Sequence, residues 1–249
     1  MSEPSGSQPK YLQVLDQLRE DIQRGTYDAS ERLPTEAALA DLYSVSLMTL
    51  RKALDMLKVE GVVEGRKGSG NYVRGNDLLQ YSTDRHRPPH AGRHTPWATR
   101  GPKTLGIDQI TAPRETQPPD YIARALALET GSVVLLSTYR LLQYGRPVRL
   151  VRTYVPSGLI AGSHPTHADA TVDCLHEILK VAGREPVVAD EYVRSRPPTT
   201  DEAAQLEIPS RRFVLHVCRT GFDEHGVPVK TEEMILDSAS HVLSYRFDL

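Results

Sequence analysis

The fold of the N-terminal region is decided by residues 33–61, LPTEAALADLYSVSLMTLRKALDMLKVEG. Pro34 suits the first turn of a helix, and the apolar residues after it form a short stripe that ends at Tyr43. Ser46 can cap a second helix, which Gly61 ends. The apolar residues of this second helix recur at positions i, i+3, i+4 and i+7: Leu50, Ala53, Leu54 and Leu57. The stretch therefore predicts a helix–turn–helix.

The segments on either side extend this prediction to a winged helix. Before the stretch, Tyr11–Arg24 has apolar residues at helical spacing and is followed by Gly25, where a helix usually stops. After it, the β-prone residues 62–64 and 71–73 lie on either side of Gly65–Gly70, which predicts a hairpin. The glycines lack the Gly-Lys-Ser/Thr ending of a phosphate-binding loop, so a hairpin turn is the preferred interpretation.

Charge and composition restrict the class of protein. The 249 residues contain 30 Lys+Arg and 32 Asp+Glu, so the net charge of −2 excludes a histone-like polycation. Residues 46–74 nevertheless contain six Lys/Arg and three Asp/Glu, which places positive charge on the second helix and the hairpin. Two cysteines are too few for a disulfide framework, and no apolar run reaches the roughly 20 residues of a membrane span. We therefore expect a cytoplasmic protein with no membrane partner.

A change in composition near residue 76 predicts two domains. The segment from Tyr81 to Pro119 is rich in Pro, Gly, His and Arg and has no sustained period, as expected of a linker. We predict a DNA-binding domain over residues 8–76, a linker over 77–103 and a second domain over 104–249. His86, His90 and His94 recur at metal-ligand spacing within the linker, but the prolines between them oppose a helix, and no metal or cofactor is expected.

The second domain has the pattern of an α+β fold. Val133–Leu142 pairs with Val148–Val155 in one predicted hairpin, and Phe213–Phe222 pairs with Val229–Leu236 in another. A Gly-x-Pro-Val turn joins each pair, and a short helical stretch precedes each hairpin, which suggests an internal duplication. Residues 172–182 predict a further helix between the hairpins. We expect an antiparallel sheet with helices packed on it.

The first domain resembles the GntR family of bacterial transcription regulators. The matching clusters are Leu33-Pro34-Thr35-Glu36, Val45-Ser46, Thr49-Leu50-Arg51-Lys52-Ala53-Leu54 and Gly68-Ser69-Gly70-Asn71-Tyr72-Val73. The family usually has arginine at the positions of Ala37 and Leu47, so recognition of the operator should depend on other residues. The resemblance implies that operator DNA is contacted by Thr35, Glu36, Ser46, Leu47, Thr49, Arg51, Lys52, Lys67, Gly68, Ser69, Gly70 and Asn71.

The second domain looks like the effector-binding domain of the HutC subfamily, which has a chorismate-lyase-like fold. The resemblance implies that a small-molecule effector is bound by Arg140, Tyr154, Glu191, Glu232 and His241. Leu142 and Val151 replace an arginine and a glutamate of the subfamily. We therefore expect a polar ligand of at most one charge, because a phosphate dianion needs more than one fixed cation.

The function that these resemblances imply is a ligand-responsive regulator that represses transcription as a homodimer on a palindromic double-stranded operator. Two alternatives stay open. One is a small-molecule enzyme that uses the chorismate-lyase-like domain, although the residues supply no convincing nucleophile with its base, and Cys174 and His176 point apart on a helix. The other is a DNA-binding regulator that has lost its response to ligand.

Overall fold

A computed structural model of the chain describes residues 8–66, 68–75, 78–82, 105–160 and 174–245. The chain forms two compact units, Met1–Asp77 and Leu78–Leu249. Among the described residues, no helix is long and apolar enough to cross a membrane.

The first unit is the predicted winged helix. Its elements are α1 (Lys10–Gln23), α2 (Glu36–Leu42), α3 (Leu47–Glu60), β1 (Val63–Arg66) and β2 (Gly70–Val73). The predicted cap is present, because Ser46 accepts a hydrogen bond from the Thr49 amide at 3.2 Å. The position predicted for Pro34 was wrong: Pro34 precedes the helix, and Thr35 caps α2 by accepting from the Ala38 amide at 3.2 Å. Gly61 ends α3 in the left-handed conformation, with φ 78°. The predicted apolar stripe of α3 is completely buried in the core of this unit.

The second unit is built on a six-stranded antiparallel sheet with the strand order β4-β5-β6-β9-β8-β7. Its elements are β3 (Leu79–Ser82), β4 (Leu105–Thr116), α4 (Asp120–Ala125), β5 (Val134–Gln143), β6 (Arg146–Pro156), a 3-10 helix (Ser157–Ile160), α5 (Cys174–Val181), β7 (Val188–Arg196), α6 (Thr200–Leu206), β8 (Val214–Phe222), β9 (Pro228–Asp237) and β10 (His241–Ser244). The predicted α+β class is confirmed.

The sheet repeats one arrangement of strand, helix and hairpin. The elements β4, α4, β5 and β6 form the first copy, and β7, α6, β8 and β9 form the second. The two copies meet where β6 pairs with β9 at the centre of the sheet. Both predicted hairpins are present, and the arrangement is the one that an internal duplication would produce.

The two faces of the sheet are covered by different elements. On one face, here called the helix-covered face, Leu206 of α6 packs with Leu150 and Ile235, and Ile122 of α4 packs with Tyr154. On the other, here called the strand-covered face, β3 and β10 form a parallel pair whose Tyr81 and Leu243 pack on the sheet. The partners of this second layer on the sheet are Tyr139, Val151, Leu215, Val217, Met234 and Leu236.

Four strands were not predicted: β3, β4, β7 and β10. Two of them, β3 and β4, lie in the segment interpreted as a linker. Strand β3 falls within 77–103 and is held by its pairing with β10, about 160 residues further along the chain, a contact that no local pattern reveals. Strand β4 falls within Tyr81–Pro119, and two register shifts break its alternation of apolar and polar residues. Strand β7 is an exposed edge with no buried face to mark it. The three linker histidines lie outside the described residues.

Candidate functional sites

The first turn of α3 presents the residues that the sequence placed in contact with DNA. Ser46 and Thr49 lie side by side, with their hydroxyl oxygens 2.9 Å apart, and Ser46 caps the helix. In winged helices the N-terminal end of the second helix of the helix–turn–helix, here α3, enters the major groove. The N-cap hydroxyls and the free helical N–H groups therefore lie where they could meet a phosphate or a base edge.

Three of the predicted DNA-binding residues form one connected group. Arg51 of α3 donates from Nε to Glu36 of α2 at 2.7 Å, and the Asn71 side chain of the wing is near enough to Glu36 to help lower the pKa of its carboxyl. The hydrogen bond from Arg51 lowers the pKa of the Glu36 carboxyl, which therefore stays ionised. The Arg51 side chain is still 62% exposed, so its remaining donors are accessible. Glu36 thus orients the arginine that we expect to read a base.

The other predicted DNA-binding residues have more varied surroundings. Lys52 lies 3.7 Å above the Tyr11 ring, which fixes its stem against α1. In the wing, Gly68 and Gly70 both have positive φ, and the Ser69 and Tyr72 hydroxyl oxygens are 2.6 Å apart. Thr35 is engaged as the cap of α2. Lys67 lies outside the described residues.

One prominent side chain at this end of α3, Met48, was not among the predicted DNA-binding residues. Met48 is 81% exposed and follows Leu47, which is 43% exposed. Both lie in the first turn of α3, off the buried stripe of that helix. A signal was available, because an apolar residue outside the stripe of an amphipathic helix has no core to enter. Apolar groups at this position are suited to contact the thymine methyl in the major groove.

The predicted effector-binding residues lie on opposite faces of the sheet. Arg140 is directly paired with Leu150 and Tyr154 packs with Ile122, so both lie on the helix-covered face. Glu191 and Glu232 both pair with Arg219, and they lie on the strand-covered face. The structure therefore does not bring Arg140 together with Glu232, because adjacent strand residues alternate between the faces.

On the helix-covered face, Arg140 and Tyr154 have structural partners. Arg140 forms an ion pair with Asp108 of β4 and donates to the Gln205 carbonyl oxygen of α6 at 3.0 Å. Tyr154 is buried among apolar residues, and burial raises its pKa to about 12. These contacts join the sheet to its helices.

The same face carries a buried carboxylate, Glu233, that the sequence analysis did not identify. It accepts a hydrogen bond from the Tyr121 hydroxyl at 2.6 Å and one from Arg152 at 3.1 Å, and His216 Nε2 lies 2.9 Å from its Oε1. Burial opposes the ionisation of Glu233, but these hydrogen bonds and the charge of Arg152 prevail and hold its pKa at about 2. Glu233 is therefore a charged centre that ties α4 to the sheet.

On the strand-covered face, Glu191 is the acceptor of a dense group of side chains. It accepts hydrogen bonds from the Tyr81 hydroxyl at 2.6 Å, the Tyr245 hydroxyl at 2.7 Å and Arg219 Nε at 2.6 Å. Burial raises the pKa of the Tyr81 hydroxyl, which stays a donor at neutral pH. Glu191 thereby connects the sheet to the chain segments that cover it.

Further polar residues lie on this face, and two of them, Lys230 and Arg149, were absent from our prediction. Glu232 Oε1 accepts from Lys230 Nζ at 3.1 Å, while Glu232 Oε2 has no hydrogen-bond partner in the described part of the chain. Predicted His241 lies on β10 with Nδ1 3.1 Å from the Asp237 carbonyl oxygen. Arg149 of β6 is buried next to them. We call Tyr81, Arg149, Glu191, Arg219, Lys230 and Glu232 the buried polar cluster.

Among the described residues, no group of His, Cys, Asp and Glu side chains could hold a metal ion.

Comparison with known families agrees with both units. Residues 10–73 match the family described as bacterial regulatory proteins, gntR family, and residues 108–241 match the UTRA domain. The chain is 27% identical over 225 residues to the HTH-type transcriptional regulator GgaR of Escherichia coli, covering 89% of this chain and 84% of GgaR. It is 36% identical over 96 residues to the mannosyl-D-glycerate transport/metabolism system repressor MngR of E. coli, covering 34% of this chain and 40% of MngR.

Solved structures show the same fold over nearly the whole chain. PhnF from Mycobacterium smegmatis matches with a TM-score of 0.55 and 20% identity, covering 94% of this chain and 99% of PhnF. YydK from Bacillus subtilis matches with a TM-score of 0.53 and 15% identity, covering 97% of this chain and all of YydK. Since the UTRA match alone spans more than half of the residues, the chain belongs to the proteins with a UTRA domain, and together with the gntR-family match over residues 10–73 this makes it a DNA-binding transcription regulator.

Proposed function

We propose that this regulator is a cytoplasmic repressor of the HutC subfamily that binds a palindromic operator as a homodimer and leaves it when a small molecule binds the UTRA domain. The observation that carries the proposal is the exposed first turn of α3, where two hydroxyls, two apolar side chains and the oriented Arg51 form one reading surface. A surface of this composition is suited to base edges and phosphates together.

The homodimer follows from the size of this reading surface. One helix end with three or four side chains contacts few base pairs, which gives little discrimination in a genome. Two copies on two half-sites multiply the affinity, because the second contact forms at high effective concentration. The operator should then have the two-fold symmetry of the protein.

Release by a small molecule requires that the ligand favours one arrangement of the dimer. A ligand shifts the equilibrium only by the difference between its affinities for the two arrangements. The linkage is reciprocal, so operator DNA must weaken ligand binding by the same factor. This reciprocity separates a responsive regulator from one that has lost its response.

Selection of DNA from a random pool by the purified protein tests the proposal. We expect a palindromic sequence to be enriched and Arg51→Ala to weaken its binding, whereas Arg24→Ala removes an equal charge from the end of α1 and should leave the specificity unchanged. Enrichment of no sequence would contradict the proposal. A metabolite panel added to the complex then tests release, and turnover of any bound compound would instead favour the enzyme alternative.

A further inference from the structure

Arg149 is the least compensated charge of the buried polar cluster. It lies at the centre of the sheet on β6 and is only 5% exposed. Within the described residues, its Nε and Nη2 atoms make no hydrogen bond. A buried polar group without a partner destabilises the folded state, and a charged one does so strongly. Such a side chain therefore suggests a partner that joins the protein from solution.

The surroundings of Arg149 resemble a ligand site more than a structural ion pair. The Tyr81 ring is near two guanidinium groups, with Arg149 5.3 Å and Arg219 5.1 Å from its centroid. Arg219 is held by Glu191, whereas no ion pair of Arg149 is present among the described residues, where its ring contact is with Tyr81. Burial lowers the pKa of the Arg149 guanidinium, and the nearby Arg219 charge acts in the same direction. A neighbouring anion would relieve both effects.

The charges of the cluster show how much negative charge is missing. The cations are Arg149, Arg219 and Lys230, and the anions are Glu191 and Glu232. Arg219 pairs with Glu191, and Lys230 pairs with Glu232. Among the described residues, Arg149 is the cation of this cluster that has no paired carboxylate. A single negative charge balances the cluster, whereas a dianion would leave one charge buried and uncompensated.

The cluster also offers an acceptor. Glu232 Oε2 is buried and has no partner among the described residues, although Glu232 Oε1 is paired with Lys230. A carboxylate oxygen accepts hydrogen bonds and cannot donate them while ionised. A ligand group that satisfies it must therefore be a hydroxyl, an amine or an amide N–H. Between Arg149 and Thr153 on β6, Val151 supplies apolar surface on the same face.

We propose that the effector is a monocarboxylate that also carries a hydrogen-bond donor. Arg149 binds its carboxylate, and Glu232 accepts a hydrogen bond from its donor. This inference rests on the proposed function. Arg140 has no part in this site, because it lies on the helix-covered face and is already paired with Asp108. The anchor of the ligand thus comes from a strand position that the sequence analysis did not consider.

Two series of small acids test the proposal on the full-length protein. Acetate, propionate and butyrate carry the carboxylate alone, and glycolate, 3-hydroxypropionate and 4-hydroxybutyrate add a hydroxyl at increasing distance. Acetamide serves as the neutral probe, and inorganic phosphate, used at a pH well above its second pKa so that it is the dianion, serves as the multiply charged probe. Each compound is titrated at constant ionic strength, and the melting temperature of the protein is measured at each concentration. The carboxylates should raise the melting temperature. Acetamide should not raise it, and phosphate should raise it no more than chloride at the same ionic strength does. For one of the three chain lengths, the hydroxy acid should bind at least about tenfold more tightly than the plain acid with the same number of carbons. A tenfold ratio of affinities is about what one good hydrogen bond contributes.

Variants connect these effects to the residues. Arg149→Met should abolish stabilisation by every carboxylate. It should also raise the melting temperature of the free protein, because it replaces a buried, unpaired charged side chain with an apolar one of similar volume. Glu232→Gln should remove the advantage of the hydroxy acid and keep binding of the plain acids. Arg140→Met is the matched control and should retain the responses of the wild type.

Any of the following results would overturn the proposal. One is carboxylate stabilisation that survives in Arg149→Met or disappears in Arg140→Met, and another is stabilisation by phosphate that exceeds every carboxylate. Absence of any response to carboxylates in the wild type would likewise refute it. Binding to the selected operator DNA is measured in parallel, since Arg149→Met should still bind it. A protein that binds its operator but ignores carboxylates contradicts this inference alone, whereas one that selects no DNA contradicts the proposed function.

Discussion

Removal of single thymine methyl groups from the operator tests whether the start of α3 reads DNA by apolar contact. Met48 is 81% and Leu47 43% exposed at this position, and both have surface available for a partner. In the major groove, the C5 methyl of thymine is the apolar group that distinguishes A·T pairs. Replacing one thymine with uracil deletes that methyl and keeps every hydrogen bond of the base pair.

The size of the effect follows from the buried area. Removing one methyl group from an apolar contact costs about 0.8 kcal/mol, which is about fourfold in affinity at one half-site. If both half-sites of a palindrome are changed, the loss should be about 1.6 kcal/mol, or about 15-fold. The assay is fluorescence anisotropy with the selected operator, in which each thymine in turn is replaced by uracil.

A double-mutant cycle assigns the contact to its residue. Met48→Ala should bind the thymine and uracil operators alike, because the side chain that contacts the methyl is gone. Val181→Ala is the control, since Val181 is 80% exposed, much as Met48 is, but lies at the end of α5 in the second unit. If no uracil substitution weakens the wild type, or if Met48→Ala keeps the full discrimination, the reasoning about this surface is wrong.

Further predictions concern the reading arginine, the buried carboxylate and the core. Arg51→Ala should weaken operator binding by about 1–3 kcal/mol and relax preference at one base pair, and an equal loss on random DNA would show that it contacts only phosphate. Lys67→Ala should instead weaken all sequences alike and reduce the slope of log affinity against log salt by about one. The pKa of Glu233 in the folded protein is about 2, below its ordinary value of 4.5. The ionised carboxylate therefore stabilises the fold fully above about pH 4.5, and this stabilisation declines as the pH falls toward 2. Denaturation of Glu233→Gln across that range should show a smaller pH dependence than the wild type, and identical slopes would contradict the assignment. Leu54→Ala should lower the free energy of unfolding of the first unit by about 2–5 kcal/mol, as measured by urea denaturation, because Leu54 is fully buried.

The sequence by itself determined the elements whose causes are local. The helices of the winged helix were predicted from caps and apolar spacing between residues at most seven positions apart, and the structure has them with ends that differ by one or two residues. The hairpins β5–β6 and β8–β9 were predicted for the same reason, because a turn and two adjacent strands lie within about 25 residues. Glu36 and Arg51, two of the predicted DNA-binding residues, come from the same short stretch, and the structure brings them into contact.

Only the tertiary structure decided which side chains share the buried polar cluster. Strand side chains alternate between the two faces, so moving one position along a strand moves a residue to the opposite side of the sheet. Arg140 was therefore placed with Glu232 in the prediction although the sheet separates them, and Arg149 was overlooked although it lies near Glu232. Tyr81 joins the cluster through the pairing of β3 with β10. That pairing depends on the closure of a long loop and on burial of a shared face, and neither leaves a periodic signal in the residues themselves.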